Sequence, residues 1–267
     1  MLRPVLNHTF APNGRAPTVL YLHGFLGCSD DWSETITCLG NGFSHLTVDL
    51  PGHWTPADSL PPEYYSMPGC ARLIIDLLDN CGIERCHLVG YSMGGRFALY
   101  LLTHCSDRFL SAVIESASAG LKTEAERTDR EQQDKLWIKR LHERPLDEFL
   151  SDWYAQPLFN TIDRTGARFE QMMRRRRQHN PEALALSLQY MGASVMPSLW
   201  DSLPALTMPL IFVAGERDER FSALAHEMAS LCSCAQAAII ASAGHNTHFD
   251  RPDEYCSVVK QFLSEDH

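Results

Sequence analysis

Residues Cys86–Gly95, Cys-His-Leu-Val-Gly-Tyr-Ser-Met-Gly-Gly, decide the fold of this chain. The first four predict a buried strand, and apolar residues at helical spacing follow the last glycine. A Gly-x-Ser-x-Gly turn between a strand and a helix is a nucleophile elbow, whose glycines avoid clashes in a strained turn. A helix beginning at Ser92 also directs N–H groups toward a developing anion. The alternative is a glycine-rich turn without chemistry.

Strands alternate with helices on both sides of this turn. Apolar runs predict strands over 18–22, 44–50, 86–89, 110–115, 209–214 and 237–241. This alternation predicts an α/β fold, a mostly parallel sheet flanked by helices on both faces. Residues 121–200 interrupt it, because they contain charged helical segments and no convincing strand. We therefore predict a sheet domain from residues 1–120 and 201–267, with a helical cap inserted at 121–200.

Length and charge bound the class of function. A chain of 267 residues fits one large domain, or one domain with a sizeable insertion. The net charge of -10 argues against nucleic acid as a partner, since phosphate neutralisation needs a basic surface. Residues 122–177 carry 13 Lys and Arg against 11 Asp and Glu, whereas the rest carries 10 against 22. The predicted cap is therefore the locally basic part of an acidic chain.

Hydropathy and cysteine usage indicate the compartment. No window approaches the roughly 18 apolar residues that a membrane helix requires, so we expect no membrane insertion. The nine cysteines are odd in number and include no Cys-x-x-Cys pair, which disfavours zinc ribbons and thioredoxin motifs. Scattered, reduced, mostly buried thiols fit a cytoplasmic protein.

A serine in such an elbow needs a base and an orienting acid, which follow in the order Ser, Asp, His. Asp218 and His245 each follow one of the last two predicted strands. They therefore lie at the carboxyl ends of strands, where an open α/β sheet binds its ligand. We predict Ser92, Asp218 and His245 as the catalytic residues. Glu216 and Asp250 are the alternatives for the acid.

An oxyanion hole needs one N–H from the residue after the serine and one from the loop after the first strand. Met93 supplies the first in this sequence, and Phe25 the second. His23 precedes that loop, and we predict that it orients the loop; the alternative is a catalytic base. His248 either supports the catalytic residues from behind or lies at the surface, and we expect the surface.

Four stretches resemble one enzyme family: GYSMGGR at 90–96, ESASAGL at 115–121, DWYAQPLF at 152–159 and AGHN at 243–246. Together with the elbow, they make the chain similar to the α/β-hydrolase superfamily over nearly its whole length. Within it, the chain resembles the 2-succinyl-6-hydroxy-2,4-cyclohexadiene-1-carboxylate (SHCHC) synthases, the pyruvate-eliminating lyases of menaquinone and phylloquinone biosynthesis. Arg four residues after the serine is rare in generic hydrolases.

The resemblance implies a small polycarboxylate substrate, a cyclohexene with an enolpyruvyl ether. Arginine pairs bidentately with carboxylates, which gives the basic cap a purpose. The positions that match the family's substrate contacts are Tyr91, Arg96, Arg130, Trp153 and one of Arg174–Arg177. Spacing to Leu184 favours Arg176, with Arg177 next, and a solvated helix face is the alternative for two or three of these four arginines. Packing in the cap core is the alternative for Trp153.

The implied reaction is elimination rather than hydrolysis, and it needs no cofactor and no metal. Ser92, activated by His245, removes a ring proton, and the N–H groups of Phe25 and Met93 stabilise the oxyanion. Two other functions stay open: a serine esterase or carbon–carbon bond hydrolase acting on a small anionic substrate, and a non-catalytic small-molecule receptor.

One position departs from the family pattern. Trp54 stands where relatives usually have a small residue, often glycine. Its side chain is expected either to crowd the cleft or to pack under the cap.

We also expect a mobile cap, because a charged insertion covers the site. The sequence does not indicate the oligomeric state or which of the two quinones is the pathway product.

Overall fold

The computed structural model of the chain, which describes residues 4–54 and 60–265, contains a seven-stranded sheet. Its strands are β1 (His8–Ala11), β2 (Thr18–Leu22), β3 (Ser44–Val48), β4 (Cys86–Tyr91), β5 (Phe109–Glu115), β6 (Leu210–Gly215) and β7 (Ala235–Ile240). The strand order is β1-β3-β2-β4-β5-β6-β7, and every neighbouring pair is parallel except β1 with β3. The predicted mostly parallel α/β sheet is confirmed.

The sequence did not predict β1. This strand has four residues, lies at the sheet edge, and alternates between half-buried and exposed side chains. The central strands β2 and β4 are buried at every position. Because both faces of a central parallel strand are covered, it reads as a continuous apolar run, whereas a short edge strand does not.

Helices cover both faces of the sheet. They are α1 (Ser33–Leu39), α2 (Met67–Asn80), α3 (Met93–His104), α4 (Glu124–Glu143), α5 (Leu146–Tyr154), α6 (Ala167–Arg176), α7 (Pro181–Met191), α8 (Glu219–Leu231), α9 (Thr247–Asp250) and α10 (Pro252–Ser264). The apolar faces of α2, α3 and α8 pack on one side of the sheet, and those of α1 and α10 on the other. The parallel strands therefore end together at one edge that the helices leave open.

The segment between β5 and β6 contains α4–α7 and, among its described residues, no strand. Its first helix, α4, begins at a capping box in which Thr123 and Glu126 satisfy each other's backbone N–H groups. A separate apolar cluster joins α5, α6 and α7, and it includes Leu26 from the loop after β2. These helices thus rest on the loop edge of the sheet. We call helices α4–α7 the cap and the sheet with its other helices the core. The division of the chain into two domains with a boundary at 121–200 stays a prediction.

The cysteines behave as small apolar side chains. All nine are free thiols, and most of them are buried. Burial raises the pKa of the Cys86 thiol to about 12, which keeps it protonated and unreactive.

Within the ranges that the structure describes, no helix is both long and apolar enough to cross a bilayer.

Candidate active site

Ser92 occupies a sharp turn between β4 and α3. Its φ of 51° lies in the left-handed region, and its N–H donates to the Glu115 carbonyl at 2.8 Å. The glycines around it are required by close backbone approach. A Cβ on Gly90 would lie 2.6 Å from the Gly94 oxygen, and a Cβ on Gly94 would lie 2.2 Å from the Leu22 oxygen. The turn has the geometry of a nucleophile elbow, and it exposes the serine at the open edge of the sheet.

The structure brings the three predicted catalytic side chains together. His245 Nε2 lies 3.1 Å from Ser92 Oγ, and His245 Nδ1 lies 2.7 Å from Asp218 Oδ2. Asp218 and His245 are buried, and Asp218 also caps α8 by accepting the Phe221 N–H. A carboxylate on Nδ1 favours the tautomer whose Nε2 accepts a proton from the serine. The chain of contacts is that of a Ser-His-Asp triad.

The two alternative acids do not contact the imidazole. Glu216 accepts the Ser242 N–H at 2.8 Å, which ties the loop after β6 to the loop after β7. Asp250 accepts the Gly244 N–H at 2.8 Å and the Thr161 hydroxyl at 2.6 Å. Both carboxylates therefore shape the loop that carries the histidine.

The prediction that His248 is a surface residue is wrong. Its side chain is 8% exposed, its Nδ1 lies 2.7 Å from Glu115 Oε2, and its ring stacks on Trp32 at 4.7 Å. Burial alone would raise the pKa of Glu115, but the contacts with His248 and Thr247 outweigh it and lower that pKa. An acid as the last residue of a buried strand needs a polar partner, and this was the signal available in the sequence.

The predicted oxyanion-hole residues Phe25 and Met93 both line the cavity next to Ser92. Met93 is the first residue of α3, so its N–H belongs to the group that an α-helix leaves without an intrahelical acceptor. Phe25 lies in a tight turn closed by the Gly27 N–H and the Gly24 carbonyl at 2.8 Å. The His23 ring contacts the Gly24 carbonyl and the Leu50 N–H, not the serine. It therefore contacts loop backbone rather than acting on Ser92.

A cavity of about 340 Å³ lies between the triad and the cap helices. All of the predicted substrate-contacting residues line it: Tyr91, Arg96, Arg130, Trp153 and Arg176. Arg96 donates to the Met191 carbonyl at 3.2 Å, and Arg130 donates to Asp134 at 2.8 Å. Burial, and then the charge of Arg130, lower the pKa of Arg96 to about 10. The cavity therefore contains a desolvated cation close to a second one.

Arg176 is held by an acid, Asp31, that no pattern in the sequence indicates. It makes two hydrogen bonds to the Asp31 carboxylate, at 3.1 and 2.6 Å, and its side chain is 5% exposed. Burial alone would raise the pKa of Asp31, but Arg176 and Arg175 outweigh it and hold that pKa well below its usual value. Asp31 lies in a short 3-10 helix of the core, Ser29–Trp32, so this pair joins core and cap. No periodicity or motif in the sequence indicates such a long-range pair.

The four consecutive arginines divide as the alternative interpretation expected. Arg174 and Arg177 are exposed and pair with Glu170, and Arg177 also pairs with Asp147. Neither lines the cavity, whereas Arg176 does. Arg177, the second choice from sequence spacing, therefore lies on the solvated face of the cap.

Trp153 and Trp54, the two tryptophans with alternative roles in the sequence analysis, lie in different places. Trp153 both lines the cavity and packs in the cap cluster, with ring centroids 4.9 Å from Phe25 and 5.0 Å from Trp137. Both interpretations of that residue therefore describe its contacts. Trp54 is not among the cavity-lining residues, and its side chain is 36% exposed. Its φ of 55° is in the left-handed region, where glycine is unstrained.

Comparison with known proteins agrees with this fold and site. A family model described as alpha/beta hydrolase fold matches residues 17–252, which defines the class as an α/β-hydrolase-fold enzyme. The SHCHC synthase of Salmonella typhimurium is 34% identical over 92% of this chain and 94% of its own length. That of Citrobacter koseri is 34% identical over 93% of this chain and 94% of its own length. The chain belongs to the 2-succinyl-6-hydroxy-2,4-cyclohexadiene-1-carboxylate synthase family.

Solved structures extend the comparison. The structure of MenH from S. aureus matches with a TM-score of 0.90 and 30% identity, over 96% of this chain and 97% of that one. An enol-lactonase from Burkholderia xenovorans LB400 matches with a TM-score of 0.80 and 20% identity, over 97% of this chain and 96% of that one. The second likeness shows the shared fold alone.

Proposed function

We propose that this chain is a lyase that eliminates pyruvate from 2-succinyl-5-enolpyruvyl-6-hydroxy-3-cyclohexene-1-carboxylate and forms SHCHC. The observation that carries this proposal is the combination of a Ser-His-Asp triad with arginines in one cavity. The names of the relatives that are 34% identical over more than nine-tenths of the chain support the same reaction.

The atoms of substrate and product define what the site must do. The product has double bonds at C2 and C4 of the ring, whereas the substrate has one at C3. A proton must therefore leave C2, which is acidic because the succinyl carbonyl is attached to it. The C2–H electrons form the C2–C3 bond, the C3–C4 pair moves to C4–C5, and the C5–O bond breaks to release enolpyruvate. Enolpyruvate then tautomerises to pyruvate.

The triad supplies the base for the first step. Ser92 Oγ takes the C2 proton as its own proton passes to His245 Nε2, 3.1 Å away. Asp218 stabilises the resulting imidazolium through Nδ1. The N–H groups of Phe25 and Met93 bind the oxygen of the succinyl carbonyl as it becomes an enolate. His245 then holds the proton that the departing enolpyruvate oxygen takes up, so protons balance without an acyl-enzyme.

The arginines bind the carboxylates of the substrate. In the part of the chain that the structure describes, Arg96 has no carboxylate within ion-pair distance, although it is close enough to Arg130 for that charge to lower its pKa. Asp134, which pairs with Arg130, acts on Arg96 only from further away and weakly raises its pKa. A desolvated guanidinium without a hydrogen-bonded carboxylate is a site for a substrate carboxylate. A hydrolase for neutral esters has no use for this charge. Tyr91 and Trp153 provide the adjoining apolar walls.

A pyruvate-release assay with the purified chain and the authentic enolpyruvyl substrate tests the proposal. We expect stoichiometric pyruvate, and a loss of about 10²- to 10⁴-fold in kcat for Ser92→Ala, because the variant lacks the base. Ser233→Ala is the matched control, since that serine is exposed and distant from the cavity lining. Unchanged turnover by Ser92→Ala would contradict the catalytic role of Ser92, whereas a wild-type protein that turns over neither this substrate nor an ester would have only a binding function.

The same protein should be incubated with p-nitrophenyl acetate. Burst acylation without any pyruvate release from the enolpyruvyl substrate would identify a serine hydrolase instead. The two substrates therefore distinguish proton abstraction by Ser92 from nucleophilic attack by Ser92.

A cytoplasmic location stays a prediction.

A further inference from the structure

The turn that carries the Phe25 N–H is held by two histidines that the mechanism above does not use. Leu26, the next residue, has a φ of 65°, a conformation that costs a non-glycine residue free energy. Its N–H donates to His53 Nε2 at 3.1 Å, and its carbonyl lies 2.8 Å from His179 Nε2. Both polar backbone groups of this buried, strained residue are thus satisfied by imidazoles.

The hydrogen-bond partners fix the tautomer of each ring. His53 accepts at Nε2, so its proton is on Nδ1, 3.3 Å from the Pro51 carbonyl. His179 donates from Nε2 to Leu26, so its Nδ1 accepts the Trp54 N–H at 3.3 Å. Each ring uses one donor and one acceptor and must be neutral to do so. The rings themselves pack edge to face, with centroids 5.4 Å apart.

The two histidines come from different parts of the chain. His53 follows β3 in the core, whereas His179 lies between α6 and α7, three residues after Arg176. The His179 contact therefore crosses from the cap to the loop that carries one oxyanion-hole donor. Among the described residues, no other residue of the cap hydrogen-bonds to the Leu26 backbone.

We propose that His179 is a positioning residue, which holds Leu26 in its left-handed conformation and so aims the Phe25 N–H at the oxyanion. The inference rests on the proposed function, because it assigns Phe25 a role in the elimination. The oxyanion hole is then complete only when the α6–α7 turn is seated on the core. His179 therefore adds a hydrogen bond to the apolar contacts that Phe25 and Leu26 already make with the cap.

The surroundings keep His179 in the required neutral form. Its ring is 4% exposed and is faced by His23 and His53, by Arg176 and by Asp31. Burial, and then the charge of Arg176, lower the pKa of His179 to about 3. Both ring nitrogens therefore keep their donor and acceptor roles at neutral pH.

The test compares two amides that each replace one nitrogen of the ring. The amide nitrogen of His179→Gln can occupy the place of Nε2 and donate to Leu26, whereas the amide oxygen of His179→Asn can replace only Nδ1 and accept from Trp54. We expect kcat for pyruvate release to fall about 10-fold in His179→Asn and in His179→Ala, with KM nearly unchanged. His179→Gln should retain most of the kcat. His226→Ala is the control, because that histidine is exposed.

Amide hydrogen exchange gives a readout apart from turnover. Exchange at residues 24–27 should accelerate in the Asn variant and remain slow in the Gln variant. Equal kcat in Asn, Gln and wild-type proteins would overturn the inference, as would a KM rise that accounts for the whole loss. If His179→Ala does not fold, the Asn–Gln pair carries the same comparison. Absence of pyruvate release by the wild-type protein is a different outcome, which rejects the proposed function itself.

Discussion

The floor and the roof of the cavity are stabilised in different ways. The floor consists of Ser92, His245 and Asp218 at the ends of β4, β7 and β6, already joined to one another at 3.1 and 2.7 Å. The roof consists of the cap residues that line the cavity, and its arginines Arg130 and Arg176 pair with the acids Asp134 and Asp31 of the same chain. The catalytic side chains of the floor are thus already in place for chemistry, whereas the positive charges of the roof are neutralised by nearby carboxylates. Changes in the floor should alter kcat, and changes in the roof should alter stability and substrate binding.

Asp31→Asn is expected to have the largest effect on the roof. It leaves the buried Arg176 charge without its carboxylate, and removing one partner of a buried ion pair costs about 3–5 kcal/mol of unfolding free energy. Added substrate should recover part of that loss, since its carboxylate can replace the missing one. Denaturant unfolding with and without substrate measures both effects. An unfolding free energy within error of wild type would show that the roof is not charge-compensated.

The Asp31–Arg176 pair makes the free energy of unfolding depend on pH, and the shifted pKa of Asp31 decides the direction. The pKa of Asp31 is lower in the folded than in the unfolded protein, so the unfolded chain binds more protons in acid. The pair stabilises the folded protein fully when the pH is above the pKa of Asp31 in the unfolded chain, about 4, and this stabilisation is lost as the pH falls below that value. The wild-type protein should therefore lose more stability on acidification than Asp31→Asn.

Arg96→Met tests the arginine that, among the described residues, makes no ion pair with a carboxylate. It removes a charged hydrogen bond to the substrate, which is worth about 1.5–3 kcal/mol, so kcat/KM should fall about 10- to 150-fold. Stability should fall little, because within residues 4–54 and 60–265 the guanidinium hydrogen-bonds to the Met191 carbonyl and to no other group. Arg177→Met is the matched control, since that arginine is exposed and pairs with surface acids. Equal losses in the two variants would contradict the distinction between lining and surface arginines.

The floor was predictable from the sequence and the roof only in part. Strand ends fix where Asp218 and His245 lie, because parallel strands of one sheet finish at one edge. The Gly-x-Ser-x-Gly turn fixes Ser92 in the same way. The matched positions in the cap line the cavity, but their partners do not follow from any local pattern. Asp31 meets Arg176 across 145 positions of sequence, and only the packing of α6 against the core brings them together.

The histidine contacts show the same limit. His53 and His179 lie far apart in the chain, and no spacing rule connects either to Leu26. From the sequence we expect His248 at the surface. The structure instead pairs it with Glu115, an acid buried at the end of β5. A single sequence can indicate that a buried polar residue needs a hydrogen-bond partner. It does not indicate which residue is that partner, because tertiary packing brings the two together.

Trp54 is expected to give the smallest effect, and it tests the border between floor and roof. Its left-handed backbone costs a non-glycine residue roughly 1–2 kcal/mol, while glycine loses about 0.5–1 kcal/mol through added freedom of the unfolded chain. Trp54→Ala and Trp54→Gly both remove the half-exposed ring and both keep the N–H that contacts His179. The glycine variant should therefore be more stable than the alanine variant by up to about 1 kcal/mol in denaturant unfolding. An alanine variant at least as stable as the glycine variant would show that the backbone at this junction is not strained.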